Sequence, residues 1–84
     1  MNADAVRAAV VDAVLAVAPE ADFARLDPKR SLRAQLELDS FDFLNVLIDL
    51  DTRLGVTIPE SDYAQVDGLD ALVGYLAARV GPDR

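Results

Sequence analysis

Eighty-four residues, 52% of them apolar, suffice for one small domain with one core and leave too little for a second. The apolar residues are mainly Ala, Val and Leu with only 6% aromatics, a composition that favours packed helices over disorder. The absence of Cys and His excludes disulfides, thiolate nucleophiles, zinc-thiolate sites and imidazole bases, and a net charge of −7 disfavours nucleic acid, whose phosphates are bound by Lys and Arg.

A single domain over residues 1–84 is therefore expected. The first helix is predicted over residues 3–17, where Val6, Val10, Ala13, Val14 and Val17 recur at helical spacing, with Asn2 or Asp4 as cap and Pro19 beyond the end. Residues 18–39 show no sustained period. They read as a long loop with room for a short helical turn, carrying four bases from Arg25 to Arg33 and pinned by Phe23, Leu26, Leu32 and Leu36. Helix resumes over residues 40–54, with Asp39 as N-cap, Asp42 completing a capping-box-like pair, and Gly55 as the stop. Val56-Thr57-Ile58-Pro59 reads as an extended link, followed by a short helix over residues 60–64. Asp67 is then expected to cap a last helix over residues 68–80, with Leu69, Leu72, Val73, Leu76 and Val80 as one stripe and Gly81-Pro82 as its end. The expected fold is all-α: a small antiparallel bundle of three principal helices and one short one, with a long first loop.

Charge is unevenly spread. Residues 1–36 carry five acids and five bases, whereas residues 37–62 carry seven acids against Arg53 alone. At about 100° per residue, Phe43, Val46, Leu47, Leu50 and Leu54 form the core stripe of the helix over 40–54. Phe41, Leu44 and Ile48 form a second apolar face, separated from the first by Ser40 and Asp51. That face either packs beneath the long loop or meets a partner. Likewise, Asp39-Ser40 is either a plain helix start or the exposed hydroxyl of a covalent site.

Leu36-Glu37-Leu38-Asp39-Ser40-Phe41-Asp42, an amphipathic helix and then Gly55-Val56-Thr57-Ile58-Pro59 together resemble the acyl carrier protein family. The family pattern opens its second helix with Asp-Ser-Leu and places Ile-Pro about eighteen residues after the Ser. Ile58-Pro59 and the later Leu72-Val73-Gly74-Tyr75-Leu76 fall in register with it, so the resemblance covers residues 31–80. It implies that Ser40 bears 4′-phosphopantetheine, transferred from coenzyme A by a phosphopantetheinyl transferase, with Asp39 as helix cap and transferase recognition residue. The arm would supply the thiol that the polypeptide lacks.

The resemblance further implies a carrier holding acyl intermediates as thioesters for fatty acid, polyketide or other specialised biosynthesis. Its partners would be an acyl- or adenylate-forming ligase and synthase or acyltransferase enzymes with basic docking surfaces. Phe41, Leu44 and Ile48 would supply apolar contact, and Asp42, Asp49 and Asp51 charge. Glu37 stands where many members have Gly, Phe41 where Leu is usual, and Asn45 and Arg53 where fatty-acid carriers often have acids, which points to a specialised standalone member. An aminoacyl or peptidyl carrier and an unmodified acidic interaction module are the alternatives. No catalytic or metal residues are expected, because no nucleophile-base pair is visible. No run reaches the roughly 20 apolar residues of a membrane span, and Asp4 and Asp12 replace the basic region of a leader. The expectation is a cytoplasmic monomer that is not an enzyme.

Overall fold

The computed structural model describes residues 2–80, among which the chain forms α1 (Ala3–Val17), α2 (Leu32–Leu36), α3 (Ser40–Leu54), a 3₁₀ helix (Glu60–Val66) and α4 (Leu69–Arg79). α1 is rich in Val, a mediocre helix former, so tertiary burial rather than propensity sustains it. Val6, Val10, Ala13 and Val14 are buried, and the Asn2 side chain accepts from the Ala5 amide at 2.8 Å, which settles the cap in favour of Asn2 over Asp4. α1 packs against both α3 and α4, and α4 against the 3₁₀ helix, completing the small antiparallel all-α bundle.

The core joins the α1 valines to Phe43, Val46, Leu47 and Leu50 of α3 and to Leu69, Leu72 and Leu76 of α4, with Leu32 and Val66 inserted from the connections. Fully burying one such side chain is worth roughly 1.5–3 kcal/mol, enough to override local preferences of a few tenths. Val17, Leu54, Val73 and Val80, expected in the stripes, are half-buried at the core's margin.

The long connection is more ordered than its sequence suggests. Asp22 and Asp27 each accept from the backbone amide two residues ahead, at 3.0 Å, forming turns that Asp side chains favour. The Gln35 side chain accepts from the Asp27 amide at 2.8 Å and donates to the Asp27 carbonyl at 2.9 Å, clipping the loop to α2. α2 itself interrupts what was expected as loop over 18–39. Its cap is Ser31, which accepts from Ala34 N–H at 3.1 Å, and its Leu32 is fully buried. Phe23, Leu26 and Leu36 lie against the core as partly buried anchors.

Two boundaries differ from expectation. The short helix over 60–64 is a 3₁₀ helix that continues to Val66. Asp67 does not cap α4: the N-cap is Gly68, without a side-chain bond, and α4 begins at Leu69. The reason is the contact between the two connections. Ser31 and Gly68 form a single antiparallel bridge, and Leu32 N–H donates to the Asp67 carbonyl at 2.8 Å. A Cβ at Gly68 would stand 3.4 Å from the carbonyl oxygens of both Pro28 and Arg30, in ordinary van der Waals contact, so the two connections pass close together here. Asp67 Oδ1 is left buried without a hydrogen-bond partner among the described residues. Gly81-Pro82, the expected end of the last helix, lies outside the described residues.

Candidate functional site at the start of α3

Ser40 is the first residue of α3, and its side chain is exposed. The turn that delivers it is set by Glu37, which ends α2 in the left-handed region at φ 55°, ψ 40°. Leu38 N–H then reaches back to the Arg33 carbonyl at 2.9 Å, the six-to-one bond of a Schellman ending, and Leu38 is buried. Glu37 thus adopts the conformation that glycine takes easily, and α3 begins three residues later.

Asp39 adopts extended backbone and its carboxylate accepts from the Asp42 amide at 2.7 Å, as expected of an N-cap. The reciprocal half of the capping box is missing: Asp42 contributes its amide, and its carboxylate makes no hydrogen bond among the described residues. Helix geometry leaves the Ser40 and Phe41 amides without intrahelical partners. The Ser40 hydroxyl likewise has no hydrogen-bond partner among the described residues.

The second apolar face is open. Phe41, Leu44 and Ile48 are 69%, 38% and 54% exposed, so the long connection does not cover them. The three acids expected beside this face are not equivalent. Asp49 accepts from Arg53 Nε at 3.0 Å, and Arg53 also lies 3.8 Å from Asp12 on α1, tying the two helices together. Asp51 accepts from the Thr57 hydroxyl at 2.8 Å across the turn at Gly55. Among the three, Asp42 alone has a carboxylate unengaged by described residues.

Beside Ser40 an open groove of about 370 Å³ runs between α2, α3 and the 3₁₀ helix, lined by Arg33, by Ser40, Phe41, Phe43 and Leu44, and by Glu60 and Tyr63. Phe43 is 3% exposed and meets the Tyr63 ring edge-on at 6.5 Å and 86°. The Arg33 guanidinium lies 5.7 Å from the centre of the same Phe43 ring. The 3₁₀ wall is held from behind by Tyr75, whose hydroxyl donates to Asp62 at 2.6 Å. That hydrogen bond, reinforced by partial burial, raises the Tyr75 pKa above its ordinary 10.0, although Arg79 stacked on the ring at 3.4 Å opposes the shift.

Arg33, Glu60 and Tyr63 line this groove beside Ser40 and were not singled out from the sequence. Arg33 is the last of the four bases in the long connection, and only the presence of α2 shows where it stands. The Ser31 cap signal ahead of Leu32-Arg33 was the available clue. Among the described residues no helix is long and apolar enough to cross a membrane.

No curated protein and no solved structure matches the chain significantly. The sequence profile of the phosphopantetheine attachment site matches residues 5–76, from the first turn of α1 to Leu76 of α4 and therefore through Asp39-Ser40. With that match spanning most of its length, the chain belongs to the phosphopantetheine attachment site family, a carrier domain of the acyl carrier kind whose cofactor is covalently bound 4′-phosphopantetheine.

Proposed function

We propose that this protein is an acyl carrier whose 4′-phosphopantetheine is joined to Ser40 Oγ, and that it serves specialised fatty acid, polyketide or related biosynthesis. The observation that carries this reading is the position of Ser40: an exposed, unbonded hydroxyl at the first residue of a capped helix, beside an open groove. The residues around it suit the group. Two free amides and Arg33 are donors for a phosphodiester, while Phe41, Phe43, Leu44 and Tyr63 give the groove apolar and aromatic surface.

In loading, Ser40 Oγ attacks the phosphorus of coenzyme A that bears the pantetheine. A P–O bond forms, the bond to the adenosine bisphosphate breaks, and the hydroxyl proton passes to a base. Asp39 is occupied by its cap and the chain has no His, so that base belongs to the transferase. When bound, the group supplies a thiol on which acyl cargo is held as a thioester. Asp39 orients the first turn of α3 and presents charge to the transferase. Phe41, Leu44 and Ile48 give partner enzymes an apolar contact, with the Asp42 carboxylate as the charge free to meet their basic surfaces. Asp49 and Asp51 contribute less directly, through their ties to Arg53 and Thr57.

Incubation with coenzyme A, magnesium and a broad-specificity transferase is expected to add one phosphopantetheine by intact mass, and Ser40→Ala to abolish the addition. An unmodified wild-type protein, with a control carrier loaded in parallel, would instead make it an acidic interaction module.

A further inference from the structure

We propose that Arg33 is a positioning residue for the arm: its guanidinium pairs with the phosphodiester on Ser40 and so lays the pantetheine along the groove between α3 and the 3₁₀ helix. The proposal rests on the attachment of the arm to Ser40. The charges around that residue create the need for a cation. Asp39 and Asp42 lie in the cap and first turn of α3 and Glu60 lines the groove, so a phosphodiester on Ser40 sits in an acidic neighbourhood. Arg33 is the one cation lining the groove.

Two observations show that it is available and held in place. Among the described residues Arg33 forms no ion pair, whereas Arg25, Lys29 and Arg53 each lie within 4.0 Å of a carboxylate. Its guanidinium rests 5.7 Å from the centre of the Phe43 ring, and that ring is buried and braced edge-on by Tyr63. Stacking restrains a long side chain that would otherwise sweep through solvent, and it leaves the edge of the guanidinium plane free to donate to an anion. The Schellman ending at Glu37 fixes α2, and with it Arg33, relative to Ser40. The phosphorus is bonded directly to Ser40 Oγ, so it is the part of the arm that this cation meets first. A carboxylated cargo at the far end would reach Arg33 only by folding back.

The test uses the holo protein, loaded and checked by intact mass. Phosphorus NMR reports the phosphodiester, and proton NOEs report whether the pantoate methyls of the arm lie against the Phe43 and Tyr63 rings. In wild type these NOEs are expected at low salt and are expected to fade as salt screens the exposed pair. Arg33→Gln is expected to abolish the NOEs, to shift the phosphorus resonance and to remove its salt dependence, while Arg33→Lys, which keeps the charge, restores part of both. Identical phosphorus and NOE spectra in wild type and Arg33→Gln would overturn the proposal. So would a lysine variant that behaves like glutamine while the apo Phe43 and Tyr63 ring shifts have moved, since Arg33 would then act only by packing. A wild-type chain that takes no arm, or a Ser40→Ala variant that still takes one, is caught at the mass step, before any spectrum is recorded, and refutes the attachment reading instead.

Discussion

Glu37→Gly should make the protein more stable, and the reason lies in one dihedral angle. Glu37 is the only non-glycine residue with positive φ among the described residues, at 55°. An L-residue in this region is disfavoured by about 1–2 kcal/mol because Cβ crowds the neighbouring carbonyl. Glycine relieves the crowding but enlarges the conformational freedom of the unfolded chain, which takes back about 0.4–1 kcal/mol. The net expectation is a gain of about 0.5–1 kcal/mol, or a rise in Tm of about 2–8 °C for a domain of this size. The chain carries a net charge of −7, so removing an acid could stabilise it by itself. Glu37→Gln is therefore the reference. Thermal melts and urea midpoints, read by far-UV circular dichroism, should order the series as Gly above Gln, with Asn between and Val lowest because its branched Cβ suits positive φ least. A glycine variant no more stable than Gln, or a Val variant equal to it, would refute the reasoning.

Asp39→Ala removes the cap on the Asp42 amide and should lower stability by about 1 kcal/mol; Asp39→Asn should keep most of that stability yet still slow transferase loading, and equal loss of stability in both would contradict the capping role. Asp42→Lys should slow loading, mainly at low salt, and lower Tm slightly by reversing the charge in the first turn of α3, whereas Asp49→Lys should lower Tm slightly by breaking the Arg53 tie to α1 and slow loading less; equal slowing of loading by the two variants would remove the distinction between them. Tyr75 has a folded-state pKa above its ordinary 10.0, so its proton is held more tightly in the folded chain. The stability that it contributes is complete below pH 10 and is lost as pH rises through the raised value. Tyr75→Phe should lower Tm at neutral pH and flatten that alkaline decline, which denaturation at stepped pH would record.

Legibility in the sequence followed the range of the interactions involved. α1 and α3 were readable because period, cap and stop lie within each segment: Asn2 or Asp4 ahead of the valines, Asp39 ahead of the amphipathic run, Gly55 behind it. Helical angles revealed the second apolar face of Phe41, Leu44 and Ile48 but not its exposure, because whether the long connection covers that face is decided by packing. α2 was not readable as a helix because five residues hold too little period, and the Gln35 clip that orders it reaches back eight residues to Asp27. Asp67 looked like a cap by residue type, but the bridge between Ser31 and Gly68 joins segments far apart in the chain and moves the start of α4. The same holds for the site. Ser40 and Asp39 were singled out by their motif and the resemblance that it carries, whereas Arg33, Glu60 and Tyr63 come together beside Ser40 only through packing. Asp49 was expected to face partners, although its i, i+4 spacing to Arg53 carried the signal of the tie that the structure shows, while the bond between Asp51 and Thr57 depends on how the chain turns at Gly55.

The most direct measurement of the central claim is site localisation after loading. Trypsin cuts after Arg33 and Arg53, and the intervening peptide, residues 34–53, contains Ser40 as its one serine and Thr52 as its one threonine. Tandem mass spectrometry of the whole digest should place a single phosphopantetheine on Ser40 of that peptide, with Ser31, Thr52 and Ser61 unmodified. Phosphopantetheine on any of those three, or loading that persists in Ser40→Ala, would contradict the account.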